Sequence, residues 1–368
     1  MTRHVTTAEV SGPWSLATSR RFWEGFTPSS LPAPPSPPAP PSPPAPQAAP
    51  VQQTVQGQDT LSTVFRVDAD WSAAAAVVTQ HGQQATIAVT GDGDLDAAAA
   101  QVRCFLALDV DAAGWPAVGR RDPVIADAQR RLPGLRPCGF HSPYEAAAWA
   151  VLSQRLRIVQ AARLRQDLIA RFGDNGAFPA PARLLTLGRG LDLPGRKSEY
   201  LAAVAEAALD GQLDGAAIRA ADPGEAVRRL TAIKGIGPFA AELIVLRGAN
   251  VPDALPSQER RLEAEVAERY GVGRTVADVA DAWRPFRTWA AVHLRALRET
   301  RTGEISGRPG PAGDQPRAVS RPASPPSRAV RSRAASRAVL LSARASSSAR
   351  ASFSARAAEP SYLSIRGL

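Results

Sequence analysis

Five consecutive residues constrain this 368-residue chain more than any others: Lys234-Gly235-Ile236-Gly237-Pro238, set between two runs with helical spacing. The run at 223–233 carries Val227, Leu230 and Ile233 on one side. The run at 238–248 is almost wholly apolar, with Phe239, Ala240, Leu243, Ile244, Val245 and Leu246. Two glycines can adopt positive φ and admit another backbone at close range. A proline suits the first position of a new helix, where no N–H is needed. An apolar helix of this kind must be buried. Its N-terminus, with free N–H groups and the positive end of the helix dipole, is then left outward beside Lys234. That arrangement suits an anion, most simply a phosphate. The stretch holds no nucleophile and no metal ligand, so its chemistry is that of bare backbone. An ordinary αα-corner that needs glycine for its turn has the same local pattern.

Charge alone does not identify a polyanion partner. The segment 301–368 holds twelve arginines against Glu304, Asp314 and Glu359, a balance of +9 out of the chain's +10. Residues 1–300 are therefore close to neutral, and nucleic-acid binding has to be argued from motifs. The two cysteines, Cys104 and Cys138, exclude a disulfide framework and a four-cysteine metal site. The four histidines, His4, His81, His141 and His293, show no metal-ligand spacing. No apolar run is long enough for a membrane span, and the N-terminus lacks the apolar core of a signal peptide. A soluble cytoplasmic protein without a cofactor or metal is expected.

Eleven prolines between residues 31 and 50 mark an extended linker over 31–58, and the Arg/Ser/Ala-rich tail over 301–368 reads as disordered. Residues 61–67 (LSTVFRV) and 84–90 (QATIAVT) alternate and are β-branched, so they read as strands. Residues 96–109 are helical, and with the strands make a small α+β unit at 59–121. From 122 to 300 the pattern is helical throughout, with helices expected over 143–158, 159–172, 197–209, 223–233, 238–248, 258–270, 276–282 and 285–298. The expected fold class is mainly α: a helical core preceded by a small α+β domain.

The hairpin LTAIKGIGPFAAELIVLRG, the following DALPSQERRL and the later WRPFRTWAAVHL together resemble the DNA-3-methyladenine glycosylase II family, of the helix-hairpin-helix DNA glycosylase superfamily. RPCGFHSPYEAAAWAVLSQ (136–154) resembles the start of that catalytic region, and LPGRKSEYLAAVAEAALDGQLD (193–214) also matches. PWSLATSRRFWEGF and the α+β unit through VGRRDP resemble the family's N-terminal domain, to which the segment 1–30 would then belong. The resemblance spans roughly 10–300. It implies a monomeric, monofunctional glycosylase of base excision repair. Such an enzyme acts on double-stranded DNA and hydrolyses the N-glycosidic bond of a flipped, alkylated base.

The resemblance also assigns roles. The hairpin residues Lys234, Gly235, Ile236, Gly237, Phe239 and Ala240 would meet DNA phosphate. Gln154 and Arg155 would lie where a side chain fills the gap left by the flipped nucleotide. The family's catalytic aspartate aligns with Glu259, one methylene longer, and Asp253 is the alternative carboxylate. With Ser257 as a helix cap, Glu259 would merely complement the dipole. Phe239 and Leu243 replace the family's pocket tryptophan and tyrosine, and Arg295 replaces a third aromatic. Trp289 and Tyr144 are then candidates for the base pocket, with Trp283, Phe286 and Trp149 behind them. These departures also admit a catalytically weak helix-hairpin-helix DNA-binding protein. The proline-rich and arginine-rich segments admit a protein-interaction scaffold.

Overall fold

Residues 1–26 and 60–303 are described by a computed structural model. The expected linker at 31–58 and the basic tail beyond Gly303 lie outside the described residues. Four strands, β1 (Thr2–Glu9), β2 (Thr60–Arg66), β3 (Ala73–His81) and β4 (Gln84–Gly91), form an antiparallel sheet in the order β1-β4-β3-β2. β2 and β4 are the two strands expected from alternation. β1 and β3 go beyond the sequence reading. β3 begins with four alanines, which favour helix. Yet Ala74, Ala76 and Val78 are buried on one face, and the strand pairs with both β2 and β4, so tertiary pairing overrides propensity. β1 is an edge strand with Val5 half exposed, so it carries little of the apolar alternation that marks a buried face.

The rest is helical. α1 (Leu16–Phe26) and α2 (Leu95–Phe105) cover the sheet's inner face, with Leu16, Phe22, Val102 and Phe105 in one cluster with Phe65, Ile87 and Val89. Then come α3 (Trp115–Arg121), α4 (Pro123–Arg131), α5 (Pro143–Ser153), α6 (Ile158–Phe172), α7 (Pro181–Leu187), α8 (Lys197–Leu209), α9 (Gly215–Ala220) and α10 (Pro223–Thr231). α11 (Pro238–Leu243), α12 (Arg260–Tyr270), α13 (Val276–Val279) and α14 (Arg287–Thr302) complete it.

α5 is the central helix, buried from Pro143 to Leu152 and capped by Ser142, whose hydroxyl accepts from the Glu145 N–H. Its apolar residues share a core with α8, α10 and α11. α14 bridges two other clusters. Val292 and Ala296 pack with the sheet, while Trp289, Ala290 and Leu294 pack with Trp115, Ile125, Leu262 and Val266.

Buried polar groups are tied into the backbone, as the cost of leaving them unpaired requires. Arg136 is fully buried and donates to the carbonyls of Ala107 (2.6 Å), Val110 (3.0 Å) and Pro13 (3.3 Å), which anchors the N-terminal segment. Asp122 accepts from Trp283 Nε1 (2.8 Å) and the Tyr270 hydroxyl (2.7 Å) while capping α4.

His293 lies fully buried in α14. Its Nδ1 is 2.8 Å from the Trp289 carbonyl, its ring centroid is 4.9 Å from that of Trp115, and its Nε2 meets no partner among the described residues. Burial holds this imidazole down at about 4, against the weaker opposing pull of the Trp289 carbonyl. An unfolded histidine binds its proton near pH 6.5. Between those values the unfolded chain binds more protons, so stability is lost as pH falls from about 6.5 toward 4. Chemical denaturation at pH 7 and pH 4.5 should show the native chain losing about 2–3 kcal/mol more over that interval than His293→Gln. Equal losses would contradict the buried, neutral imidazole.

Candidate nucleic-acid interface and carboxylate

The hairpin begins with Asp222, whose carboxylate caps α10 by accepting from Glu225 N–H at 3.0 Å. After α10 the chain turns through 232–237. Gly235 sits at φ +90°, and a Cβ placed on it would lie 2.4 Å from the Tyr200 ring. Glycine is required there twice over, for the backbone and for the ring. Gly237 does not share that conformation: its φ is −90° with ψ 178°, ordinary extended backbone. The expectation of positive φ at both glycines thus holds for one. A Cβ at Gly237 would meet nothing within 4 Å, and the residue is exposed, so its backbone is open to close approach on that side. Ile236 points the other way and is buried in the α5/α8/α11 core.

Pro238 opens α11, and helix geometry leaves the Phe239 and Ala240 N–H groups without intrahelical acceptors. Ala241 N–H is the first to bond back, to Gly237 O at 2.9 Å. The Ala240 side chain is buried, whereas Phe239 is 53% exposed. The expected helix over 238–248 is α11 followed by a wider π-type turn at Ile244–Gly248, which breaks its regular spacing.

Two neighbours brace the turn. Gln154 Nε2 donates to Gly235 O at 2.7 Å. Lys197 is buried, and its Nζ donates to the carbonyls of Val151 and Gln154 at 2.8 Å each, closing the C-terminal end of α5. Burial holds this ammonium below the usual lysine range. Arg155 follows at φ +56°, a conformation uncommon for a non-glycine residue, with its side chain exposed. Lys234 is exposed and pairs with Glu199, which also accepts from Arg196 Nε at 2.6 Å. Hydrogen bonds from Arg196 and Lys234 draw the Glu199 carboxyl down to about 2, so the hairpin lysine is partly compensated in the free protein.

Beyond the π-type turn the chain runs to α12. Glu259 is itself the cap of that helix: its side chain accepts from Arg261 N–H at 3.1 Å. Ser257, the expected cap, instead bonds with Glu242. The Glu259 carboxyl is 28% exposed, with Arg295 Nε at 3.8 Å from Oε2. Asp253, the alternative carboxylate, is committed elsewhere. It accepts from Arg287 N–H (3.0 Å) and Nε (2.8 Å) at the start of α14 and lies 3.5 Å from Arg284.

The aromatic candidates need correction. Trp289 and Tyr144 are both fully buried. Trp289 packs against Trp115, Phe286 and the Arg136 guanidinium, and Tyr144 donates its hydroxyl to Pro179 O at 2.8 Å. Neither lines an open pocket; aromatic residues at helical spacing fill the core here. Trp283 and Phe286 are core as well, and Trp149 packs with Leu243, Phe140 and Ala161. Phe239 alone among the named rings is exposed. Two clefts, of about 450 Å³ beside Thr63, Ala76 and Arg165 and about 320 Å³ beside Asp68, Cys104 and Arg219, do not include Glu259.

Two residues escaped the sequence reading. Lys197 is buried although Arg196 and Glu199 beside it in sequence are not, so nothing local marks it; Glu242 is a lone charge in an otherwise apolar run. A charge inside an apolar run must find partners, and that was the signal available for Glu242.

No protein-family model matches the chain. Over 204 residues it is 25% identical to a DNA-3-methyladenine glycosylase of Bacillus subtilis, a match covering 51% of this chain and 67% of that protein. Over 176 residues it is 28% identical to DNA-3-methyladenine glycosylase 2 of Escherichia coli, covering 44% of this chain and 60% of that protein. Among solved structures it is similar to a 3-methyladenine DNA glycosylase from Archaeoglobus fulgidus, with a TM-score of 0.53 and 23% identity over 65% of this chain and 87% of the other. That likeness shows the fold alone: a helical core with a small antiparallel sheet.

The two hairpin glycines should separate in stability measurements. Gly235→Ala must place a Cβ against Tyr200 at positive φ, which should cost about 2–4 kcal/mol in denaturant unfolding. Gly237→Ala should stay within about 0.5 kcal/mol of the native chain. Equal costs would contradict the division of roles described for the turn.

Proposed function

We propose that this chain, which belongs to the DNA-3-methyladenine glycosylase II family, hydrolyses the N-glycosidic bond of alkylated bases flipped from double-stranded DNA, as a monofunctional enzyme of base excision repair. The observation that carries the reading is a pairing. An open Gly237 peptide and the outward first turn of α11 precede a partly exposed carboxylate, Glu259, at the cap of the next helix.

In this reading the Gly237 backbone and the N–H groups of Phe239 and Ala240 take a phosphate of the DNA strand, with Lys234 leaving Glu199 to add its charge. Gln154 steadies the turn through Gly235 O, and the exposed Arg155 enters the space vacated by the flipped nucleotide. Cleavage of the N-glycosidic bond builds positive charge on the sugar, which the Glu259 carboxylate stabilises while water attacks. Arg295 beside it fixes the carboxylate's direction. Phe239 offers a ring face to the base, and Leu243 an apolar contact. Tyr144 and Trp289 support this site from the core. The helical part at 122–300 carries the chemistry, on a small α+β part formed by 59–121 and the N-terminal segment. A monomer working on nucleoid DNA in the cytoplasm fits the reading.

A covalent imine route finds no amine. Phe239 stands where strand-nicking superfamily members place lysine. The chain has two lysines: Lys197, held by two carbonyls, and Lys234, which lies on the other side of the turn from Phe239 and serves the phosphate in this reading. Purified protein should release methylated bases from duplex DNA, and borohydride should trap no protein–DNA adduct. Glu259→Gln keeps the shape and should lower release by at least about 10²-fold with duplex affinity unchanged or tighter. Native-rate release by Glu259→Gln would remove this residue from the mechanism. Gly237→Val blocks backbone approach and should weaken duplex binding about tenfold without unfolding the chain. Unchanged affinity in that variant would remove the hairpin from the interface.

A further inference from the structure

Glu242 is the single charged residue between Phe239 and Leu246, on the second helix of the hairpin, and its surface is 91% buried. Both carboxyl oxygens lie 3.1 Å from the Ser257 N–H, Oε2 accepts from the Gln258 N–H at 3.0 Å, and Oε1 accepts from the Ser257 hydroxyl. The two residues held in this way, Ser257 and Gln258, immediately precede Glu259. Behind Glu259 the chain is fixed by α12, whose Leu262 and Glu263 N–H groups bond to Glu259 O at 3.0 and 3.1 Å. The other anchors of the loop 249–258 lie farther back, at Asp253 and Ala254, which bond to Arg287 and Thr288 of α14.

We propose that Glu242 is a positioning residue for Glu259. Acting through the Ser257–Gln258 backbone, it sets the carboxylate relative to the flipped sugar and ties it to the same helix whose N-terminus grips the strand. This rests on the functional reading given above. The physical reason for a carboxylate here is specific. Two N–H groups and a hydroxyl converge on it, and only an acceptor on both oxygens satisfies all three. A glutamine presents one oxygen and an NH₂ group, which meets N–H donors head on. The loop must then shift, and a misplacement of about 1 Å at a reacting group costs on the order of 10²-fold in rate. The arrangement also joins binding to chemistry: α11 carries the phosphate grip at its first turn and the loop clamp at Glu242.

The test uses the full chain and methylated duplex DNA. Glu242→Gln should lower the single-turnover rate of base release about 30- to 100-fold while leaving the Kd for the same duplex within about twofold. Ser257→Ala removes the hydroxyl and keeps both backbone bonds, so it should lower the rate about fivefold, again at constant Kd. It guards against a failure of Glu242→Gln to fold. Gly237→Val should show the reverse pattern, with weakened binding and a smaller change in rate at saturating DNA. Native rates in both Glu242→Gln and Ser257→Ala would overturn the proposal. So would parallel losses of rate and affinity, the mark of a merely structural residue. If the native chain itself releases no base, the functional reading fails and takes this inference with it. A native chain that is active beside unaffected variants overturns the inference alone.

Discussion

At Gly235 the chain reverses direction against the face of Tyr200, and the candidate site depends on that contact. The +90° φ at Gly235 sends Ile236 inward to the α5/α8/α11 core and leaves the Gly237 peptide facing outward. One side chain buried and one backbone exposed, in adjacent residues, requires a turn this tight. Gln154 bonds to Gly235 O and Lys197 bonds to Gln154 O, so the end of α5 and the turn are fastened together. The hairpin is thus mounted on the most buried helix of the protein, and its open backbone need not be ordered when a ligand arrives.

The second half of the site hangs from the first. α11 leads from the turn to Glu242, and Glu242 holds the backbone in front of Glu259. On its other side Glu259 faces Arg295 of α14. α14 is itself seated by Trp289 and His293 in the core and by the Asp253–Arg287 pair at its start. Asp253 is thus bound into the start of α14. A carboxylate flanked by a guanidinium keeps its direction without being sealed from solvent.

The hairpin was legible because glycine and proline punctuate it, and their spacing between two apolar runs leaves few alternatives. Strands β2 and β4 were legible for a similar reason, in β-branched alternation. Strand β3 was not, since four alanines carry no local sign of the sheet that β2 and β4 impose on them. The difference between Gly235 and Gly237 was also hidden, because it depends on Tyr200, 35 residues away in sequence. Trp289 and Tyr144 show the limit of residue type as a guide. Helical spacing places both rings on an apolar face, and only packing against Trp115 or a bond to Pro179 O shows that the face is core. Glu242 stood in plain sight as a lone acid in an apolar helix, but its partners lie fifteen residues on, in a loop without periodicity.

The central claim is that Glu259 stands where positive charge develops on a sugar whose strand the hairpin holds. The most direct measurement is a ratio of duplex affinities. One duplex carries a cationic pyrrolidine in place of the target sugar, and the other a neutral tetrahydrofuran of the same shape. The native chain should prefer the cationic duplex by about tenfold or more, and Glu259→Gln should bring the ratio close to one. A native ratio near one, or a preference that survives Glu259→Gln, would contradict the account.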